Sequence, residues 1–248
     1  MGKIVSIGGG SIGFRRAPQT TAIDKEIIRL SGKKKPKVLF IPTATRDSAE
    51  YVEAFHNHYE KRLGCDVKSL LLYDAKYTPT EIKKMILGAD IIYVGGGNTL
   101  NMMKLWREKG VDKLLKQAYT KNIVLCGLSA GSICWYNYGN SDSWRDHNPK
   151  APLIMVQGLG LVPAVGCPHY DTEGDRKPFL KKMMKNRADV AIAFDNCAAF
   201  EIVGDWYRVI TSKRTAACWR VYWKDGKYYQ QKITQKKEFS LLADLLHK

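Results

Sequence analysis

Ser129 is the residue of this 248-residue chain with the setting of an enzymatic nucleophile. It lies in Gly127-Leu128-Ser129-Ala130-Gly131, after Asn122-Ile123-Val124-Leu125-Cys126 and before Ser132-Ile133-Cys134-Trp135-Tyr136. The first flank reads as a buried strand and the second as the start of a helix. Gly-x-Ser-x-Gly between strand and helix is a nucleophile elbow, a turn too tight for bulky neighbours that projects the hydroxyl from the carboxyl end of a sheet.

A serine hydroxyl is a weak nucleophile until a base takes its proton and a third group orients the base. His169, in Val165-Gly166-Cys167-Pro168-His169-Tyr170, stands where an apolar run ends at a proline. His147, in Trp144-Arg145-Asp146-His147-Asn148-Pro149, is the competing base. Asp142, in Asn140-Ser141-Asp142-Ser143, and Glu201, inside the apolar run Ala198-Ala199-Phe200-Glu201-Ile202-Val203, are the candidate acids. Each has an ordinary alternative role. Asp142 could close an Asx-turn, and a carboxylate such as Glu201 in an apolar strand must be paired, neutral or turned outward.

The oxyanion formed in acyl transfer needs two fixed N–H donors. Ala130 supplies one by its place after the nucleophile. Gly95-Gly96-Gly97-Asn98-Thr99, following a strand and opening a helix, offers the other, with Asn98 or Thr99 as helix cap. Gly8-Gly9-Gly10-Ser11-Ile12-Gly13 has the glycine spacing of a dinucleotide loop. Phe14-Arg15-Arg16-Ala17-Pro18 interrupts the helix that such a loop needs, so no dinucleotide is expected.

These residues need a scaffold of alternating strands and helices. Residues 3–7, 37–41, 67–72, 90–94 and 122–126 read as strands, and 20–30, 48–63, 80–87, 98–109 and 111–119 as helices. Thr78-x-x-Glu81 marks a capping-box start. Strands separated by helices predict a mostly parallel α/β sheet with right-handed crossovers. Residues 139–152 read as a polar loop. Residues 198–203, 206–210, 216–223 and 227–234 read as an antiparallel extension with an Asp225-Gly226 hairpin turn, and 239–246 as a closing helix. One domain over residues 1–248 is expected.

The apolar fraction of 45% and charged fraction of 26% are those of a globular protein. No apolar run reaches the roughly 20 residues of a membrane span, and the first residues enter a strand rather than a secretory signal. The Gly2 and Ser6 spacing fits a myristoylation pattern only superficially. The six cysteines form no Cys-x-x-Cys pair, which predicts free core thiols in a reducing cytoplasm. His56 and His58 lie two apart on a helix and read as solvated surface; no metal and no cofactor are expected. The net charge of +16 is dispersed and carries no nucleic-acid motif, so it reads as a basic surface without a specific nucleic-acid or membrane partner. A homodimer is left open.

In combination, these motifs resemble the peptidase E (aspartyl dipeptidase) family of serine peptidases. The matching pieces are Gly95-Gly96-Gly97-Asn98-Thr99, Ser129-Ala130-Gly131, Pro168-His169-Tyr170, the strand carrying Glu201, and Ile41-Pro42-Thr43-Ala44-Thr45. The resemblance implies a class I glutamine amidotransferase-like, flavodoxin-like three-layer sandwich. It implies a serine exopeptidase acting on short peptides, with Ser129 as nucleophile, His169 as base, Asp142 or Glu201 as third member, and Gly97 and Ala130 as oxyanion donors. Gly96 and Asn98 would border the substrate, and Arg176 falls near the arginine that binds an acidic substrate side chain. The alternatives are another amide or ester hydrolase on that scaffold, cyanophycinase-like, or an inactive binding protein.

Overall fold

The computed structural model describes residues 1–73, 76–172 and 174–248. Among them the strands are β1 (Lys3–Ile7), β2 (Lys37–Ile41), β3 (Asp66–Ser69), β4 (Ile91–Val94), β5 (Val124–Leu128), β6 (Tyr136–Ser141), β7 (Ile154–Gln157), β8 (Val162–Cys167), β9 (Ala191–Phe194), β10 (Ala198–Val203), β11 (Trp206–Thr211), β12 (Cys218–Lys224), β13 (Lys227–Lys232) and β14 (Ser240–Leu241). The helices are α1 (Thr21–Leu30), α2 (Ala49–Phe55), α3 (Pro79–Leu87), α4 (Thr99–Lys109), α5 (Val111–Thr120), α6 (Ala130–Ile133), α7 (Arg176–Met184) and α8 (Leu242–Leu246). None is long and apolar enough to cross a membrane.

The larger sheet has the order β14-β11-β10-β1-β5-β4-β2-β3. Its centre, β1-β5-β4-β2-β3, is parallel, while β10, β11 and β14 run antiparallel at one side. Period-two alternation divides its side chains between two cores. Val5, Ile7, Val38, Phe40, Ile91 and Tyr93 face α1, α2 and the residues just after α2, where Ile23, Ile27, Phe55 and Tyr59 meet them. Ile4, Leu39, Ile41, Ile92 and Val94 face Ile82, Ile86, Met102, Trp106 and Leu115 of α3, α4 and α5. This is the expected three-layer α/β arrangement. The capping box forms at α3: Thr78 Oγ1 accepts from Glu81 N and the Glu81 carboxylate accepts from Thr78 N.

A second sheet, ordered β13-β12-β9-β8-β6-β7, packs beside the first. Three sequence expectations change here. The segment read as a polar loop begins inside β6, whose last residues are Gly139 to Ser141, and the elbow helix α6 is only four residues long. Asn140 and Ser141, polar yet buried, are tolerated in β6 because Arg176 donates to Asn140 and the Ser141 hydroxyl bonds Ser143 and Thr99. The C-terminal extension is divided: β10, β11 and β14 join the first sheet, whereas the β12–β13 hairpin joins the second. Asp225 and Gly226 close that hairpin with φ of 50° and 71°, as the Asp-Gly turn requires.

His58 is also buried, not solvated. The chain after α2 continues as a π-helical turn, His56–Arg62, whose extra residue rotates His58 inward. There His58 Nε2 lies 2.9 Å from Asp24 Oδ2, and Asp24 also accepts from Tyr59 and Thr20 hydroxyls at 2.8 Å. All six cysteines are buried and free.

Candidate active site

The site forms where carboxyl ends of strands from both sheets meet. Ser129 follows β5 with φ 54° and ψ −115°, outside the helical, extended and left-handed basins. Such strain, of order 1–3 kcal/mol, persists only where surroundings enforce it. Ser129 N donates to Ile7 O at 3.0 Å, and Ser129 O accepts from Ser132 N at 2.9 Å. The flanking glycines permit the turn. A Cβ on Gly131 would overlap Val94 O, and one on Gly127 would stand 2.6 Å from Gly131 O. Side chains there would push the elbow off β4.

His169 follows β8, the strand end that Pro168 marks in the sequence. Its own φ is 53°, and its N–H donates to Gly8 O at 3.1 Å. His169 Nε2 lies 2.8 Å from Ser129 Oγ. His169 Nδ1 lies 2.8 Å from Asn196 Oδ1. Asn196 occupies the turn between β9 and β10. Its N–H donates to Asp171 Oδ1 at 2.8 Å and its Nδ2 to Thr172 Oγ1 at 3.0 Å. With Oδ1 toward the ring, Nδ1 carries the proton and Nε2 presents its lone pair to the serine.

Neither expected acid is beside the imidazole's Nδ1. Asp142 faces the Arg176 guanidinium at 3.4 Å. Glu201 is buried in β10, where Arg208, its cross-strand neighbour in β11, donates to it from Nε at 2.8 Å. Burial pushes the Glu201 carboxyl above its ordinary pKa and Arg208 pulls it back. A paired carboxylate in an apolar strand was one of the readings open for Glu201, and it is the one found. His147 is exposed after the turn Ser143–Asp146 and does not line the cleft.

The cleft at Ser129 has a volume of about 280 Å³ and is bordered by Gly96, Gly97, Leu128 and His169, with Ser11, Ile12 and Phe14 opposite. Ala130 N opens α6 and has no intrahelical acceptor. Gly97, at φ 134°, lies in the β4–α4 turn, and Gly96 approaches so closely that a Cβ on it would stand 3.3 Å from Ser129 Cβ. Asn98 caps α4, accepting from Asn101 N at 2.9 Å and donating to Ser143 O at 2.8 Å, so its side chain is used within the scaffold. Arg176 is only 1% exposed; its Nη1 donates to Asn140 O and Oδ1, each at 2.8 Å, and it is absent from the cleft lining.

The profile of peptidase family S51 matches residues 4–210, spanning every element of this site. The chain belongs to peptidase family S51. It is similar to the uncharacterized peptidase YgaJ of Bacillus subtilis, 34% identical over 223 residues, 89% of this chain and 92% of that protein. It is also similar to the Peptidase E of a Nostoc species, 27% identical over 149 residues, 59% of this chain and 57% of that protein. In fold it matches the crystal structure of a peptidase from an acI-B1 actinobacterium, with TM-score 0.71 at 19% identity over 97% of both chains.

As an S51 member the chain is a serine-type peptidase. Two parts of this S51 site are not evident from the sequence motifs. Asn196 carries no charge to draw attention. Its signal is the polar pair Asp195-Asn196 between the apolar strands β9 and β10. Asp195 ties that turn to β12, accepting from Ala217 N at 2.9 Å and Trp219 Nε1 at 3.0 Å. The second part is the Gly8-to-Pro18 loop. It forms a wall of the cleft, and a Cβ on Gly9 would stand 2.5 Å from His169 Nδ1.

Proposed function

We propose that this S51 peptidase is an exopeptidase of short peptides, dipeptides foremost, working through Ser129, His169 and Asn196. The observation that carries the reading is the continuous relay from Ser129 Oγ through the imidazole to Asn196 Oδ1, two contacts of 2.8 Å each. Ser129 Oγ attacks the peptide carbonyl carbon while His169 Nε2 takes its proton. Asn196 Oδ1 accepts from Nδ1–H throughout and holds the ring in place. The oxyanion receives the N–H groups of Ala130 and Gly97. As the intermediate collapses, His169 returns the proton to the leaving amine and an ester forms on Ser129. Water then attacks the ester, His169 takes its proton, and Ser129 recovers its own as the acid product leaves.

A small substrate is supported by the cleft volume of about 280 Å³, at the lower edge of the roughly 300–1,000 Å³ of ligand pockets. The Nostoc relative's name, Peptidase E, supports the same class. Work in the cytoplasm is supported by six buried thiols that form no disulfide. A dipeptide and tripeptide library, read by mass spectrometry, tests the proposal. The protein is expected to consume a subset that the Ser129→Ala variant leaves intact; equal consumption by both overturns it.

A further inference from the structure

An acidic substrate side chain in this site would need a cation, and no lysine or arginine is among the described residues that line the cleft. Arg176, the expected partner, is buried behind β6. The large side chains of the wall beside Ser129 are Ile12, Phe14, Tyr51 and Leu128, with Ser11 and Thr45 among them. Phe14 and Tyr51 stack with ring centroids 4.7 Å apart. The Tyr51 hydroxyl accepts from Gly96 N at 3.3 Å, and burial raises its pKa to about 12, so it stays a neutral phenol. Arg15 is exposed and lies over the Phe14 ring, 4.8 Å from the centroid. Arg15 is not among the residues that line the cleft.

We propose that the wall of Ile12, Phe14, Tyr51 and Leu128 binds an apolar side chain on the residue whose carbonyl Ser129 attacks, and rejects an acidic one. This rests on the catalytic reading given above and narrows its substrate class. A carboxylate pressed against that wall gives up hydration without receiving a charge in return. An aliphatic or aromatic side chain there gains from leaving water. The other hydroxyls of the lining are engaged within the scaffold: Ser11 Oγ donates to Phe14 O and Arg16 O, and Thr45 Oγ1 to Pro42 O.

Two measurements on the intact protein test this. The first compares kcat/KM for Leu-Ala, Met-Ala and Asp-Ala. The apolar dipeptides are expected to lead by about 100-fold or more. Phe14→Ala is expected to reduce that ratio by about tenfold, while Arg15→Ala leaves it within about twofold. The second measures labelling of Ser129 by aminoalkyl phosphonate diphenyl esters with a leucine-like or an aspartate-like side chain. It reads the wall whether or not any dipeptide is turned over. Faster labelling by the leucine-like probe supports the inference even if dipeptides are poor substrates. Equal or faster labelling by the aspartate-like probe, or an Asp-Ala preference that Arg15→Ala removes, overturns it. Labelling by neither probe together with no turnover overturns the catalytic reading, and the wall's role with it.

Discussion

Gly9 lies directly beneath the hydrogen bond between His169 and Asn196, so close that a Cβ would overlap Asn196 Oδ1. The loop after β1 therefore reserves space for the imidazole pair. Cys197 N donates to Gly9 O at 3.0 Å and Gly8 N to Ala198 O at 2.9 Å, which leaves that backbone little room to retreat. Gly9→Ala is expected to displace the ring from Ser129. It should lower kcat by about a hundredfold, with an overpacking cost of about 1–3 kcal/mol in thermal unfolding. Kinetics and melting of the one variant check both parts.

Removing the Ser129 hydroxyl deletes the attacking atom. Ser129→Ala should lose turnover by at least about 10³-fold, together with fluorophosphonate labelling, while its circular dichroism matches the parent. A variant that still labels would place the nucleophile elsewhere.

In the proposed relay Asn196 orients the imidazole without adding charge. Asn196→Ala should lower kcat by about 10²-fold or more, because the ring can then turn or change tautomer. Asn196→Asp keeps an acceptor and adds a negative charge that favours the imidazolium. Activity is then expected to persist, with the acid limb of the kcat/KM profile moved to higher pH. An unmoved limb would mean that Asn196 does not address the base.

Glu201 pairs with Arg208 and Asp142 with Arg176, and in the proposed relay neither touches the imidazole. Glu201→Gln and Asp142→Asn should each keep kcat/KM within about twofold. Glu201 has a second signature. Its folded carboxyl ionises above the ordinary 4.5, because burial outweighs Arg208. The folded state therefore holds the proton longer than the unfolded one, and stability falls as pH rises from 4.5 through the folded value. Urea unfolding across that window should show the slope in the parent and its loss in Glu201→Gln.

The Asp24 cluster lies outside the cleft lining, which it meets only through the Thr20 hydroxyl, 3.4 Å from Ser11 O, and it ties α1 to the helical turn after α2. His58→Ala removes a buried partner of Asp24 and leaves a cavity. It should cost about 3 kcal/mol in chemical denaturation, with kcat of the folded fraction unchanged.

Much of the site's geometry was legible because local rules govern it. The elbow at Ser129 is a contiguous motif whose glycines answer to neighbours a few residues away, together with Val94. His169 follows a proline at a strand end, and the triple glycine before Asn98 follows β4. Strands β1, β2 and β10 begin and end where apolar runs do, since each buries residues on both sheet faces. The third member of the relay was not legible. Charge pointed to Asp142 and Glu201, but each meets an arginine that is distant in sequence or across a ladder. Asn196 carries no such signal.

What the linear chain determined is which segments become strands and helices, and that a serine stands at a strained bend. Spacing along the chain says nothing about how two sheets dock. Ser129 comes from β5 of one sheet, His169 from β8 of the other, and Asn196 from the turn that crosses between them. Only the packing of those sheets brings the three within hydrogen-bond reach. It also draws Arg176 behind β6, where burial and Asn140 hold it away from the cleft.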